Sequence, residues 1–268
     1  MKTKRLHMPR PSSLLYLSPD RVLYRGPLGH PRIRTLGAAA WYVSLHDALS
    51  LTCSDGQTWR QARALCVPAG VPHQVSTGRG HVVCYLVEPG FSDTSGVGMS
   101  GPFVAQGGGS DWGRVAELSA SDLRAWRDAG HHADAELDQL VLGQPLSAKV
   151  PDPRISDVML RIQADPALSW LVADAAVHCG LSASRFMHVF KAEVGVGWRA
   201  FRAWKRARAL LDRVHSDESL TQLALSLGYP DATHFSHAIR QITGLRPSDI
   251  VAGSRHLSVW NESGLTPA

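Results

Sequence analysis

The stretches SRFMHVFK, at residues 184–191, and THFSHAIR, at residues 233–240, repeat one pattern and decide how the C-terminal half of the chain folds. The third and seventh residues of each stretch are apolar, and this spacing puts them on the same face of a helix. The short polar, imidazole and basic residues between them then point away from that face. The pattern predicts two similar amphipathic helices, near residues 183–193 and 232–242.

A short turn precedes each of these helices. The first turn, CGLS at residues 179–182, ends in Ser182, which is a good residue for capping a helix N-terminus. The second turn, GYPD at residues 228–231, has a proline that stops the preceding helix and an aspartate, Asp231, that can cap the next. Two helices joined by a short glycine-containing turn are typical of the helix-turn-helix motif. A solvated helix face is the alternative interpretation of either helix alone, but two copies with matching turns favour DNA binding.

A further helix is predicted between the two motifs, over residues 197–211. Its aromatic residues can pack inward, which leaves a stripe of basic residues that includes Arg202 and Arg206. The chain has no acidic residue between Glu193 and Asp212. Such a stripe can neutralise DNA phosphates, or it can be an ordinary solvated face.

Residues from about 152 to 250 resemble the DNA-binding domain of AraC/XylS-type transcription regulators. The resemblance rests on matched positions in both motifs, on the aromatic-rich connecting helix, and on GLRPS at residues 244–248. It implies an all-α domain that reads two adjacent major grooves of double-stranded DNA, about 34 Å apart. It also implies an effector-responsive activator that works with RNA polymerase, with a homodimer as one arrangement.

The resemblance implies which side chains face the DNA. The residues expected to face bases are Ser184, Met187, His188, Ala232, Thr233, Ser236 and His237. The residues expected from the resemblance to contact the backbone are Arg185, Lys191, Arg240 and Thr243, and the basic stripe adds Arg202 and Arg206. Many relatives carry arginine where this chain has His188 and His237. Because imidazole offers guanine at most one donor, these two histidines can instead contact phosphate or make the affinity sensitive to pH.

The N-terminal half has a different pattern. Between residues 20 and 90, short apolar runs alternate with glycine- and proline-rich turns, which is typical of a β-sandwich or small barrel. The segment PAGVPH at residues 68–73 resembles the Pro-x-Gly-x-x-His motif of cupins. The fold class is therefore predicted as α+β, with a cupin-like sensor and dimerisation domain at residues 1–150 and the DNA-binding domain at residues 151–268.

Two helices are predicted to pack on the cupin-like domain, one capped by Ser121-Asp122 and ending at Ala129, and one over residues 133–142. The apolar residues Leu137 and Leu140 of the second helix suit either a dimer contact or packing within the chain. The prolines of VPDP at residues 150–153 are interpreted as a linker to the next domain.

A cupin-type metal oxygenase or isomerase is the alternative function. A catalytic metal needs about three protein ligands and an open position. Only His30 and His73 suggest themselves, because Arg32 stands where a second histidine would be expected. We therefore expect no catalytic residues, no bound metal and no cofactor. A third possibility is an interaction protein that never reads DNA.

The effector is not identified by the sequence. The candidate residues for binding it are Trp41, Cys66, His73 and Tyr85, which could equally fill the core. The cysteines at positions 53, 66 and 84 are either small core residues or a thiol sensor.

The composition is that of an ordinary globular chain. With 44% hydrophobic residues, 19% charged residues and a net charge of +5, it excludes a largely disordered or collagen-like protein. No run approaches the ~20 apolar residues of a membrane helix, and the apolar run at residues 14–17 is too short for a signal peptide. The few, widely spaced cysteines fit a reducing compartment. We expect a cytoplasmic protein.

Overall fold

The computed structural model describes residues 13–46, 48–53, 60–77, 80–94, 111–255 and 257–261. Within these residues, the N-terminal part consists of strands followed by three helices, and the C-terminal part is helical up to a last strand. The strands are β1 (Ser13–Leu17), β2 (Arg21–Pro27), β3 (Ala39–Ser44), β4 (Leu49–Cys53), β5 (Arg60–Ala62), β6 (Ala64–Val67), β7 (His73–Ser76), β8 (His81–Val87) and β9 (Leu257–Asn261).

The strands form two sheets. The larger sheet has six strands in the order β6-β3-β8-β2-β1-β9, and the smaller has three in the order β5-β4-β7. Every strand pair is antiparallel except the pair of β1 with β9, which is parallel. The last strand of the described chain therefore extends the N-terminal sheet.

Both faces of the larger sheet are covered. In β3, Trp41 and Val43 point to one face and Ala40 and Tyr42 to the other, as the two-residue period of a strand requires, and all four are buried. The Trp41 face packs against three helices, α1 (Trp112–Glu117), α2 (Ala120–Asp128) and α3 (Ala133–Leu142). The Tyr42 face packs against the smaller sheet and the C-terminal helices.

The helices α2 and α3 lie where they are predicted, but the N-cap of α2 is Ser119 and not Ser121 or Asp122. Helix α2 begins after Ser119, whose side chain and that of Asp122 form a capping box. Leu137 and Leu140 of α3 are buried against the sheet. Packing within the chain therefore accounts for these apolar residues.

Seven helices follow in the described part of the chain. They are α4 (Pro153–Ala164), α5 (Val172–His178), α6 (Ala183–Val194), α7 (Trp198–Arg208), α8 (Leu220–Ser226), α9 (Ala232–Thr243) and α10 (Pro247–Ser254), with a 3-10 turn at Leu211–Arg213. The interpretation of residues 150–153 as a linker is corrected at its end. Pro153 begins α4, because proline fits the first turn of a helix, and Asp152 caps it.

The C-terminal helices contribute to two separate cores. Phe186 and Phe190 of α6 pack with α4, α5 and the start of α7 in a core of their own. Phe235 and Ile239 of α9 instead share a core with the Tyr42 face of the sheet. The predicted boundary at residue 150 therefore separates two parts that are joined by a common core and by β9.

Candidate nucleic-acid interface

The two predicted reading helices, α6 and α9, begin and end in the same way. The Ser182 hydroxyl accepts from the backbone N–H of Arg185 at 3.3 Å, and an Asp231 carboxylate oxygen accepts from two backbone N–H groups at 2.8 Å. Each helix ends at a glycine with positive φ, 90° at Gly195 and 76° at Gly244. These caps satisfy the backbone groups that a helix leaves unpaired at its ends. The sequence repeat is thus also a structural repeat.

The first motif consists of α5 and α6. Phe186 and Phe190 are fully buried, with ring centroids 5.5 Å apart, and both meet the Trp198 ring edge-on. This aromatic cluster fixes the rotation of α6 about its axis. The opposite face is exposed and carries Ser184, Arg185, Met187, His188 and Lys191. Met187 is 48% exposed, which is unusual for a large apolar side chain and suits a contact surface.

The second motif consists of α8 and α9. Phe235 and Ile239 are fully buried, so Thr233 and His237 lie on the outer side of α9 and are exposed. The remaining predicted positions, Ala232, Ser236 and Arg240, are half-buried. His234, which was not predicted to contact DNA, is held by the Asp231 carboxylate at 2.7 Å.

The basic stripe predicted on the connecting helix is wrong for most of its residues. Trp198, Phe201 and Trp204 of α7 do pack inward, as expected. Arg202 donates to the carbonyls of Trp170 and Leu168. The residues Lys205 and Arg208 turn toward the N-terminal sheet, and Arg206 donates to the Pro166 carbonyl at 3.2 Å. Of the five basic residues of this helix only Arg199 is exposed.

The partner of Lys205 and Arg208 is Glu88, which follows β8. Its carboxylate lies 2.7 Å from Lys205 Nζ and 2.9 Å from Arg208 Nε, and it accepts from Trp204 Nε1 at 2.8 Å. Burial alone would raise the pKa of Glu88, but Lys205 and Arg208 outweigh it and hold the pKa below its ordinary value. A buried ion cluster, here called the Glu88 cluster, therefore joins the sheet to the connecting helix.

The C-terminal end of α9 is also fixed to the N-terminal part. The loop between β2 and β3 donates backbone N–H groups from Arg32 to the Gly244 carbonyl at 3.0 Å and from Thr35 to the Gln241 carbonyl at 3.2 Å. Arg34 Nη1 donates to the Thr243 carbonyl at 3.2 Å. The last carbonyls of a helix have no partner inside the helix, and this loop supplies partners for three of them. The second motif is thus held against the N-terminal part at its reading helix.

The four effector candidates do not share one cavity wall. Trp41, Cys66 and Tyr85 face the helices α1–α3, and the Tyr85 hydroxyl donates to Asp138 at 2.6 Å. His73 lies on the other side of the sheet, with Nε2 2.8 Å from the Tyr42 hydroxyl and Nδ1 2.8 Å from the Val71 carbonyl.

Burial shifts the pKa values of one histidine and two cysteines in the N-terminal part. Burial, assisted by the charge of Arg34, lowers the pKa of His73 to about 4. Burial also raises the pKa of the Cys66 thiol to about 12 and that of Cys84 to about 11. The side chain of Cys53 lies outside the described residues.

The described residues also bear on a metal site and on a membrane-spanning helix. His30 is exposed, and the described residues include no group of three or more His, Cys, Asp or Glu that could hold a metal ion. Among the same residues, no helix has the length and apolar character that crossing a bilayer requires.

Sequence comparison places the two motifs among known domains. Residues 175–252 match a family model described as a helix-turn-helix domain. A putative AraC-like transcription regulator from Streptomyces lividans is 31% identical over 103 residues, which cover 38% of this chain and 34% of that protein. The arabinose operon regulatory protein of Salmonella typhimurium is 26% identical over 181 residues, covering 62% of this chain and 54% of that protein. The chain thus spans only about a third to a half of the length of these curated relatives.

Structural comparison extends over both parts of the chain. The crystal structure of ToxT from Vibrio cholerae O395 superposes with a TM-score of 0.52 at 11% identity, covering 87% of this chain and 96% of ToxT. At this identity the likeness concerns the fold alone, and it confirms the predicted α+β class. The sequence matches confirm the resemblance to AraC-type regulators and give no support to the metal oxygenase.

Proposed function

We propose that this chain is a sequence-specific DNA-binding transcription regulator whose helices α6 and α9 read adjacent major grooves. The observation that carries the proposal is the duplicated motif, in which a buried aromatic or aliphatic pair turns a polar, basic face of each helix outward. The sequence matches to AraC-like regulators support the same function.

The proposed contacts are divided between bases and phosphates. Base edges are read by Ser184, Met187, His188, Ala232, Thr233, Ser236 and His237, and phosphates are contacted by Arg185, Lys191 and Arg240. Arg202 and Arg206 are left out of this set, because both are half-buried and donate to carbonyls at residues 166–170, Arg202 through both terminal nitrogens and Arg206 through Nε. We assign these two arginines to positioning the first motif relative to α7.

The two parts of the chain have separate roles in this proposal. Residues 1–150 sense a small-molecule effector and residues 151–268 bind DNA in the cytoplasm, with β9 returning to the sensor sheet. An effector that changes how the parts dock would change DNA affinity or the contact with RNA polymerase. Activation is the proposed outcome, and a homodimer is the proposed arrangement for tandem sites.

The proposal is tested by selecting binding sites from a random duplex library and then titrating the selected DNA. We expect selected sites to bind at least 1000-fold more tightly than unrelated DNA, as is usual for specific complexes. Selection that yields no preferred sequence would overturn the proposal and favour an interaction protein.

Substitutions then separate the two kinds of contact. Arg185→Ala should weaken binding to every sequence and lower the slope of log affinity against log salt by about 0.9, the value for one phosphate contact. Thr233→Ala should instead relax the preference at one position of the site. Arg63→Ala is the matched control, because Arg63 is an exposed arginine in the turn between β5 and β6, away from both motifs. If Arg63→Ala changes the slope as much as Arg185→Ala does, Arg185 is removed from the contact set.

A further inference from the structure

A continuous line of side-chain contacts joins the two helix-turn-helix motifs, in addition to α7 itself. It starts at the buried face of α6, where the rings of Phe186 and Phe190 lie 5.4 and 5.3 Å from that of Trp198, between centroids. The guanidinium carbon of Arg202 lies 5.5 Å from the centroid of the same Trp198 ring. Arg202 is therefore one contact away from the aromatic residues that orient the first reading helix.

Arg202 fixes the loop between α4 and α5, residues 165–171, here called the spacer loop. Its Nη2 atom donates to the Leu168 carbonyl at 2.6 Å, and its Nη1 atom donates to the Trp170 carbonyl. Arg206, one turn further along α7, donates to a third carbonyl of the loop at 3.2 Å. Hydrogen bonds from charged donors are stronger than neutral ones. The spacer loop is thus bound to α7 at three points.

The spacer loop also touches the second motif. A Cβ atom added to Gly228, in the turn between α8 and α9, would lie 3.1 Å from both Cα and the carbonyl oxygen of Ala167. The next residue, Tyr229, packs its ring against Phe235 of α9, with 5.3 Å between the centroids. The line of contacts therefore ends at the buried face of the second reading helix.

The turn of the first motif makes no comparable contact with the described residues. Gly180 has a φ of 65° and Gly228 a φ of 76°, a region that favours glycine at both positions. An added Cβ at Gly180 would meet none of the described atoms within 4 Å, whereas at Gly228 it would meet the Ala167 backbone. The close approach thus belongs to this pair of segments and is not a requirement of the turn.

A change in the distance or rotation between α6 and α9 would have to break the bonds from Arg202 or press Ala167 against Gly228. We propose that Arg202, acting through the spacer loop, fixes the two reading helices relative to each other and so restricts recognition to DNA half-sites at one spacing. Arg202 is a positioning residue in this arrangement, since its terminal donors are bound to carbonyls of the protein. The inference deepens the proposed function and rests on it.

Duplex DNA makes the restriction measurable. Two base pairs inserted between the half-sites move one of them by about 7 Å and rotate it by about 70° around the DNA axis. A rigid pair of reading helices cannot follow this movement, so one motif loses its base contacts. A pair of motifs that move independently keeps much more of them.

Titration of the full chain with two duplexes tests the inference. One duplex is the site selected from the random library, and the other has two base pairs inserted between its half-sites. The ratio of the two dissociation constants is here called the spacing factor. We expect a spacing factor of about 100 or more for the unaltered chain, because each lost base pair costs about tenfold and a motif reads more than one.

The substitution Arg202→Met should lower the spacing factor to below about ten, and Arg202→Lys should give a value in between, because lysine keeps the charge but not the paired donors. Arg199→Met is the matched control, because Arg199 is an exposed arginine of the same helix. A lost phosphate contact or a general loss of stability weakens binding to both duplexes alike and leaves the spacing factor unchanged. An unchanged factor in folded Arg202→Met, or an equal fall in Arg199→Met, would overturn the inference.

Two glycine substitutions test the same contact without altering a charge. Gly228→Ala should lower the spacing factor, because the added Cβ displaces the spacer loop from the second turn, and Gly180→Ala should not. Gly244→Ala disturbs the contact of the N-terminal part with the end of α9 instead. If Gly244→Ala lowers the factor as much as Gly228→Ala does, the N-terminal part sets the spacing and the inference is overturned. If Arg202→Met does not fold, Arg202→Lys and these glycine variants decide.

A distance measurement without DNA makes the outcome separable from that of the regulator. Spin labels at His188 and His237, which are exposed on α6 and α9, report the distance between the reading helices by double electron–electron resonance. We expect a narrow distribution in the unaltered chain and in Arg199→Met, and a shifted or broader one in Arg202→Met. Identical distributions in all three overturn the inference, even where selective DNA binding upholds the regulator. If no DNA sequence is selected, the regulator is refuted and this distance alone decides whether Arg202 fixes the motifs.

Discussion

The substitution Glu88→Gln removes one negative charge from the Glu88 cluster while keeping the size of the side chain. Glu88 has a side-chain exposure of 0%, Lys205 of 3% and Arg208 of 11%. The glutamine can still accept from Trp204 Nε1, so the change isolates the charge. Lys205 and Arg208 lose the anion that they share, and Arg208 keeps only Asp212, at 3.6 Å.

The expected cost follows from this burial. Removing one partner of a buried ion pair destabilises a protein by about 3–5 kcal/mol, because the remaining charge stays desolvated. An exposed pair contributes about 0–1 kcal/mol. The Arg213–Glu218 pair, at 2.6 Å with exposures of 44% and 30%, is the matched control within the same chain.

Urea unfolding, followed by tryptophan fluorescence, measures the difference. With a denaturant slope of about 3 kcal/mol per M, a loss of 3–5 kcal/mol lowers the midpoint by roughly 1–1.7 M. Glu218→Gln should lower it by no more than about 0.3 M under the same slope. The double variant Glu88→Gln/Lys205→Met should recover much of the lost stability, since it also removes one of the two cations that pair with Glu88.

The result that refutes this reasoning is a Glu88→Gln midpoint as close to the unaltered chain as that of Glu218→Gln. Such a result would mean that water reaches Lys205 and Arg208 and that the cluster does not hold the two parts together. Failure of Lys205→Met to recover stability would show that packing around Glu88, and not charge, carries the effect.

Three other predictions follow from the geometry. Both Gly244 and Gly195 end a helix at positive φ, but an added Cβ would meet the Arg32 carbonyl oxygen, at 2.6 Å, only at Gly244. Gly195→Ala should therefore lower the free energy of unfolding in urea by about 1–2 kcal/mol, and Gly244→Ala should lower it clearly more. Equal losses would contradict the contact between Gly244 and the loop. Burial, with Asp20 nearby, raises the pKa of Asp134 from 3.8 to about 7, so the native state holds this proton more tightly than the unfolded chain and stability should fall as pH rises from 3.8 to about 7. Asp134→Asn should flatten that part of the pH profile of the unfolding free energy, and an unchanged profile would assign the slope to another group. The thiols of Cys66 and Cys84 should resist alkylation at pH 8 in the native state, because burial holds their pKa values at about 12 and about 11. Mass spectrometry that follows each cysteine separately measures this. Rapid modification of either thiol would favour the thiol sensor.

The local parts of the candidate site could be predicted from the sequence. The caps at Ser182 and Asp231 and the apolar pair of each reading helix depend on residues within a few positions of one another. A helical period and a capping side chain depend only on neighbouring residues, so the sequence predicts them directly. This is why the bounds of α6 and α9 agree with the predicted ranges within a residue or two.

The contacts between the two parts could not be predicted in the same way. Glu88 and Lys205 are far apart in the sequence, and nothing near either residue indicates its partner. A run of basic residues without acids indicates either a stripe for phosphates or a solvated face, whereas most of it satisfies carbonyls and one buried carboxylate of the same chain. Arg34 was missed for the same reason, since its burial depends on a loop that lies against α9.

The parallel pairing of β1 with β9 affects how the protein forms during translation. The register joins Ser13 to Leu257 and Leu17 to Asn261, so most of the polypeptide lies between the two strands. On the ribosome, the edge of β1 has no partner from β9 until both helix-turn-helix motifs have emerged. Closing so distant a contact is slow, and an open strand edge invites pairing with other nascent chains. A fusion or truncation that disturbs Leu257–Asn261 should therefore lower the soluble yield of the N-terminal part, although those residues follow both helix-turn-helix motifs in the sequence.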